Sequence, residues 1–240
     1  GDAGRERPGT LVELKLVNLI RSRVAAWRAE AIRGGGGVSR TTRELLEYWL
    51  RQGRAQRLFF AQIEAAETII FLVEARADFL QGISVPLDEP SDAQREQGLT
   101  AFRRYACKMA TGGGKTTVMA MLAAWSILNK AANRGDGRFS DTVLVVCPNV
   151  TIRNRLAELY PERGEASLYR TRDLVPAHLM PDLCKGRVLV TNWHILEPHG
   201  VQVGGVSARV SRAGRRVDIV ETVRIAPKST TARGSRYLSL

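Results

Sequence analysis

Apolar residues recur at helical spacing through the first third of the chain. Between Leu11 and Ile32 they appear every three or four positions, and the four glycines at 34–37 end this pattern. A second apolar stretch follows Thr41 and Thr42, either of which can cap a helix, and a third runs over residues 59–79. This spacing predicts three helices, each with one face turned towards a core.

The middle of the chain alternates between short β-branched runs and helical segments. Residues 104–109 alternate between apolar and polar side chains, which predicts a strand, whereas residues 116–130 contain no Gly or Pro and predict a largely buried helix. Residues 141–149 and 187–193 are nearly continuous apolar runs typical of buried parallel strands, and a predicted helix over 151–159 follows the first. Strands that alternate with helices indicate an α/β fold with a doubly wound parallel sheet.

The last forty residues have a different character. Residues 206–210 and 217–225 alternate between apolar and polar positions around a glycine-containing turn, which predicts a β-hairpin. Residues 201–240 hold eight Arg and Lys against two acidic residues, a surplus of six within the formal net charge of +12.

The charge balance favours a polyanionic partner. Nucleic acid is the leading candidate, and an enzyme whose surface charges are merely solvated is the alternative. The three cysteines, Cys107, Cys147 and Cys184, are widely spaced and fit no disulfide or zinc framework, so we expect a reducing, cytoplasmic compartment. No signal peptide and no apolar run of membrane-spanning length occurs, so no membrane partner is expected.

One motif between a predicted strand and a predicted helix specifies a chemistry. Residues 109–116 read Met-Ala-Thr-Gly-Gly-Gly-Lys-Thr, a glycine-rich loop that ends as phosphate-binding loops (P-loops) do. Glycines allow several backbone N–H groups to point inwards and form a nest for an anion. We expect the Lys115 ammonium to reach the β- and γ-phosphates and the Thr116 hydroxyl to complete the coordination of Mg²⁺. The following helix turns the positive end of its dipole towards the same phosphates.

The P-loop predicts a nucleotide site with Mg²⁺. Lys115 and Thr116 carry the catalytic roles, Thr116 is the metal ligand, and the nucleotide-contacting residues within the loop are Thr111, Gly112, Gly113, Gly114, Lys115, Thr116 and Thr117. A plain glycine turn between two core elements is the structural alternative. Met109 stands where the strict motif has Gly or Ala.

Further motifs lie before and after this loop. Gln62 sits in a helix with an aromatic entry, residues 147–156 (Cys-Pro-Asn-Val-Thr-Ile-Arg-Asn-Arg-Leu) leave a strand and open a helix, and residues 188–194 (Val-Leu-Val-Thr-Asn-Trp-His) end a later strand. Together with the loop at 110–116, this order resembles the first motor domain of superfamily 2 helicases of the DEAD/DEAH type. The resemblance is closest to the Res subunit of type III restriction endonucleases and covers the chain from about Leu11 onwards.

The resemblance implies a role for each motif. Gln62 would read the adenine edge of ATP, with Phe59 or Phe60 stacking nearby. The residues that would contact a nucleic-acid backbone without reading bases are Pro148, Asn149, Arg153, Thr191 and Asn192. A solvated glutamine and ordinary loop caps are the structural alternatives.

The implied fold is a RecA-like P-loop NTPase with an incomplete parallel sheet. Residues 1–98 form an N-terminal helical region that contains the adenine-side helix 59–79, and residues 99–200 form a partial ATP-binding domain. Residues 201–240 form a truncated basic β-hairpin insertion.

The chain departs from the helicase pattern in one respect. Helicases of this type carry an acidic Asp-Glu-x-His motif, whose Asp holds Mg²⁺ and whose Glu positions the attacking water. No such tetrapeptide and no nuclease motif follow the P-loop in the 240 residues. We therefore expect an N-terminal portion of a longer protein, which binds ATP and hydrolyses it poorly.

The expected function is the ATP-binding part of a DNA helicase or translocase subunit of a type III restriction endonuclease. The resemblance implies ATP, Mg²⁺ and DNA as ligands and allows a modification methyltransferase as a further partner. Two alternatives stay open. One is a basic nucleic-acid-binding module with a vestigial or structural P-loop, and the other is a P-loop kinase or small-molecule transferase.

Overall fold

The computed structural model of the chain describes residues 15–148, 150–193 and 236–237. Its α-helices are α1 (Lys15–Ile32), α2 (Arg40–Leu50), α3 (Phe60–Glu74), α4 (Asp92–Glu96), α5 (Lys115–Ala132), α6 (Val150–Arg155), α7 (Leu168–Thr171) and α8 (Met180–Leu183). Its strands are β1 (Leu87–Asp88), β2 (Phe102–Arg103), β3 (Thr142–Cys147), β4 (Arg187–Asn192) and β5 (Arg236–Tyr237), and 3₁₀ turns cover Leu156–Leu159, Pro161–Ala166 and Ala177–Leu179. None of the described helices is long and apolar enough to cross a membrane.

Strands β3, β4 and β5 form a parallel sheet in the order β4-β3-β5. Val143 pairs with Val188 and Cys147 with Asn192, so β3 and β4 match along their whole length. The prediction of parallel strands is confirmed for β3 and β4, whereas β5 was not predicted. The predicted hairpin over 206–225 lies outside the described residues.

Helix α5 is the centre of the core. Nine consecutive residues, 121–129, are buried, because α2 and α3 pack against the helix as well as α7, α8 and β3. A helix that is apolar on all sides fits such a position. Buried residues from α1 to β4 form one continuous apolar cluster around it.

A buried polar network joins α2, α3 and α5. The Glu74 carboxylate is 3% exposed and accepts hydrogen bonds from Ser39 N (2.9 Å), Thr42 Oγ1 (2.6 Å) and Trp125 Nε1 (2.6 Å). Asn129 Nδ2 donates to Thr42 Oγ1 at 2.9 Å. No side-chain N or O atom of the described residues is buried without a partner, so the network is satisfied as buried polar groups require.

A second buried carboxylate fastens α1 to α3. Arg28 donates to both oxygens of Glu67, with Nε 2.7 Å from Oε1, and the Glu67 side chain is fully buried. Burial raises the pKa of the Glu67 carboxyl, and the Arg28 guanidinium opposes this shift. Arg21 and Glu64 form a similar pair at 2.6 Å, but its Arg21 side chain is 54% exposed.

Two predicted elements differ from the structure. Residues 104–109 alternate between exposed and half-buried positions, as the pattern predicts, but form no strand, and only β2 just before them pairs, with β1. A strand requires a neighbouring strand for its hydrogen bonds, and none of the described strands lies alongside this segment. The helix predicted over 59–79 ends at Glu74, since Arg76 N donates to Gly36 O instead of continuing the helix.

The N-cap of α2 is also corrected. Ser39, not Thr41 or Thr42, precedes the helix and accepts a hydrogen bond from Thr42 N at 2.9 Å. Thr42 instead lies in the first turn of α2, and its hydroxyl belongs to the network around Glu74.

We expect Arg28→Met to lower the free energy of unfolding by about 3 kcal/mol, because it leaves the Glu67 carboxylate buried without its partner. A carboxyl group with a higher pKa in the folded than in the unfolded protein destabilises the fold as pH rises through that pKa. The loss should therefore shrink as pH falls and Glu67 takes up a proton. Urea unfolding of Arg28→Met and of the unaltered chain, at neutral pH and at about pH 5, measures the difference in unfolding free energy. Arg21→Met, which breaks the exposed pair, is the control and should cost under ~1 kcal/mol; equal losses for the two variants would contradict the expectation.

Candidate functional site

The P-loop forms a tight turn at the N-terminus of α5. Gly112 and Gly114 adopt left-handed backbone conformations, with φ of 81° and 79°, which residues other than glycine rarely adopt. Gly113 N donates to Ala110 O at 3.1 Å, and Gly114 O accepts from Thr117 N at 3.0 Å. The loop therefore closes on itself through its own backbone, and α5 begins directly at Lys115.

The predicted phosphate-binding side chains lie at this helix start. Lys115 Nζ donates to Ala110 O at 3.0 Å, so its ammonium group lies across the loop. Thr116 is half-buried and Thr117 is 7% exposed, whereas Thr111 and Gly112 are exposed. The first turn of α5 contains no acidic residue, so the N–H groups and the helix dipole present positive charge to the loop.

Gln62 lies directly against the P-loop. A Cβ added at Gly114 would stand 1.9 Å from Gln62 Nε2, so only glycine fits there. Gln62 Oε1 accepts a hydrogen bond from Phe59 N at 2.9 Å and thereby caps α3. Gln62 is 5% exposed, and Phe59 and Phe60 beside it are 61% and 69% exposed. The structure thus places the predicted adenine-side residues next to the predicted phosphate site.

Helices α3 and α5 run side by side in the same direction. Gln62 contacts Gly114 at one end, and Glu74 binds Trp125 Nε1 further along. These contacts are 12 residues apart on α3 and 11 on α5, which is about 18 and 16 Å along an α-helix. The N-termini of both helices therefore meet at the loop.

The P-loop faces the carboxyl ends of β3 and β4. In the C-terminal half of α5, Ser126 Oγ bonds to both Ser140 O and Ser140 N at 3.0 Å, just before β3 begins. A Cβ at Gly186, just before β4, would stand 2.3 Å from Ile127. Because this end of α5 lies at the amino ends of the strands, its other end points to their carboxyl ends, where ligands of α/β proteins bind.

The predicted nucleic-acid residues lie at the same edge. Pro148 directly follows β3 and is exposed, Arg153 is half-buried on α6, and Thr191 is half-buried near the end of β4. Asn192 is 7% exposed, and its Oδ1 lies 3.4 Å from Cys147 Sγ. Asn149 lies outside the described residues. The structure thus brings Pro148 and Thr191 to one edge and turns the Asn192 side chain towards the core.

One aromatic residue at this edge was not among the predicted site residues. Trp193 directly follows β4 and is 54% exposed. The available sequence signal was a large aromatic residue at the carboxyl end of the predicted strand, where ligands of α/β proteins bind.

The pKa values of two thiols near these elements are raised by their surroundings. Burial raises the pKa of the Cys107 thiol, and burial together with Glu162 raises the pKa of the Cys184 thiol. Within residues 15–148 and 150–193, no three His, Cys, Asp or Glu side chains are placed to share a metal ion.

Comparison with known proteins identifies the family of the chain. The sequence model of the family described as type III restriction enzyme, res subunit, matches residues 56–196, which are 141 of the 240 residues. Searches of curated proteins and of solved structures found no match. The matched segment includes Gln62, the P-loop, β3 and β4, and the family implies a fold of the P-loop NTPase type. The chain therefore belongs to the family of type III restriction enzyme res subunits.

Proposed function

We propose that this chain is the ATP-binding part of a DNA translocase of the restriction type. The proposal rests on the contact between Gln62 and Gly114. This contact places the residue expected to bind adenine beside the loop expected to bind the phosphates. Proteins of this family generally use ATP and Mg²⁺ and act on DNA. In the proposed complex the Lys115 ammonium leaves Ala110 O for the β- and γ-phosphates, and the loop N–H groups bind the phosphate oxygens.

The other predicted site residues would bind Mg²⁺, the adenine base and a DNA strand. Thr116 would hold Mg²⁺, which neutralises charge on the phosphates. Gln62 would bind the adenine edge, and the exposed rings of Phe59 or Phe60 would stack on the base. Pro148, Asn149, Arg153, Thr191 and Asn192 would line the path of a DNA strand, with Asn192 acting through its backbone because its side chain is buried.

Lys115→Ala should weaken ATP binding roughly 10- to 100-fold, because it removes a charge-assisted contact to the phosphates. Isothermal titration calorimetry with ATP and Mg²⁺ measures the loss. Lys108→Ala, which removes an exposed lysine just before the loop, is the control and should bind as the unaltered chain does. Unchanged affinity in Lys115→Ala would favour a basic nucleic-acid-binding module with a structural P-loop.

Gln62→Ala should reduce the preference for ATP over GTP by roughly tenfold, since the hydrogen bond that Gln62 Nε2 would donate to the adenine edge is lost. Inorganic tripolyphosphate lacks the base, so its affinity should stay the same. Competition binding measures the affinities for ATP, GTP and tripolyphosphate. Urea unfolding of the variant measures how much stability is lost with the α3 cap that Gln62 provides. An equal loss for ATP, GTP and tripolyphosphate would assign Gln62 to the fold of the loop and not to base recognition.

The 240 residues should release phosphate from ATP at a negligible rate, with or without single-stranded DNA. No Asp-Glu-x-His motif follows the P-loop to position the attacking water. A phosphate-release assay tests this, with Lys115→Ala as the control for contaminating ATPases. Robust turnover that disappears in Lys115→Ala would show that another residue of this chain activates the water.

A further inference from the structure

The carboxyl edge of the sheet carries an aromatic side chain that the nucleotide chemistry does not use. Of the four tryptophans of the chain, Trp27, Trp49 and Trp125 are at most 5% exposed and belong to the core. Trp193 is 54% exposed. The position of Trp193 therefore needs an explanation other than core packing.

The register of β3 and β4 fixes where Trp193 lies. Cys147 and Asn192 pair as the last residues of their strands, so Pro148 and Trp193 are the first residues after β3 and β4. Neighbouring strands are about 4.8 Å apart, which places these two residues side by side. Successive side chains of a strand point to opposite faces. Asn192, the last residue of β4, is 7% exposed, whereas Trp193 directly after the strand is 54% exposed, so only the Trp193 side chain is turned outwards.

The surroundings of Trp193 combine apolar and cationic groups. Pro148 is exposed, and Val150 at the start of α6 is 51% exposed. Helix α6 carries Arg153 and Arg155 and no acidic residue. Helix α6 contacts β4, so guanidinium groups and an exposed aromatic ring occur at the same end of the sheet, and this combination binds an unpaired nucleobase together with its phosphates. A duplex keeps its bases stacked on one another, so only a single strand offers a free base.

We propose that Trp193 stacks on an unpaired base of single-stranded DNA that crosses the carboxyl ends of β3 and β4. This inference rests on the proposed function, because it uses the same DNA path. It adds that the bound form is a single strand held by its bases as well as by its backbone. Stacking is tolerant of sequence because every base has an aromatic face, which suits a protein that moves along any sequence.

The exposure of Trp193 provides a direct measurement. Iodide quenches the fluorescence of exposed tryptophans, so in the unaltered chain quenching reports mainly on Trp193. Titration with a thymidine oligonucleotide should protect Trp193 from iodide and shift its emission. An oligonucleotide of the same length with abasic sites should do neither.

Substitutions test the contribution of the Trp193 ring separately from that of the neighbouring arginines. Trp193→Ala should weaken binding of the thymidine oligonucleotide roughly tenfold, whereas Trp193→Phe keeps an aromatic face and should lose under about threefold. The slope of log affinity against log salt should stay the same in Trp193→Ala and fall by about one in Arg153→Ala, if Arg153 contacts a phosphate. Leu189→Ala removes another half-exposed apolar residue of β4 and is the matched control.

The outcomes distinguish this proposal from the function on which it rests. Binding of the oligonucleotide without protection of Trp193, or an equal loss by Trp193→Ala on the abasic oligonucleotide, would overturn the stacking proposal alone. Self-association of the chain that Trp193→Ala abolishes, with DNA affinity unchanged, would show that Trp193 docks a second copy and would also overturn it. If the unaltered chain bound no DNA at all, both the stacking and the proposed DNA path would fail, whereas the ATP site is tested separately by Lys115→Ala.

Discussion

A buried carboxylate at the end of α3 fixes the arrangement on which the site depends. Glu74 accepts hydrogen bonds from Ser39, Thr42 and Trp125, which belong to the start of α2 and to α5. A buried carboxylate that lost these partners would cost on the order of several kcal/mol. Apolar contacts alone would tolerate sliding between helices, but hydrogen bonds to a buried group do not. The three helices can therefore pack in only one relative position.

This position determines where the ligand-binding ends of the helices lie. With Glu74 bound to Trp125, the parallel course of α3 and α5 brings Gln62 to Gly114. Ser126 fastens the other half of α5 to the amino end of β3, so the P-loop lies at the carboxyl edge of the sheet. The relative position of α3 and α5 thus forms the predicted nucleotide site, and the pairing of β3 with β4 forms the carboxyl edge of the sheet. Helix α5 contacts elements of both.

Local signals allowed the sequence to predict part of this arrangement. The Gly-Lys-Thr ending gave the P-loop, and the β-branched runs gave β3 and β4, because these features depend on adjacent residues. The strand predicted over 104–109 was wrong since alternation shows which side chains face inwards but not whether another strand lies beside them. Glu74 could not be recognised, because a glutamate in an apolar helix is ordinarily solvated and its burial here comes from α2 and α5. The burial of Asn192 likewise follows from its pairing with Cys147, a partner 45 residues away.

The shared helix also gives a physical route between the two ligands. A nucleotide bound as proposed draws Lys115 Nζ away from Ala110 O, and this change occurs at the first residue of α5. Helix α5 is buried on all sides along 121–129, and close-packed interiors pass displacements on instead of absorbing them. Strands β3 and β4 end at Cys147 and Asn192, directly before Pro148 and Trp193. Helix α5, β3 and β4 share one buried apolar cluster, so any displacement of α5 on nucleotide binding would strain the contacts that hold the strands beside the proposed DNA path.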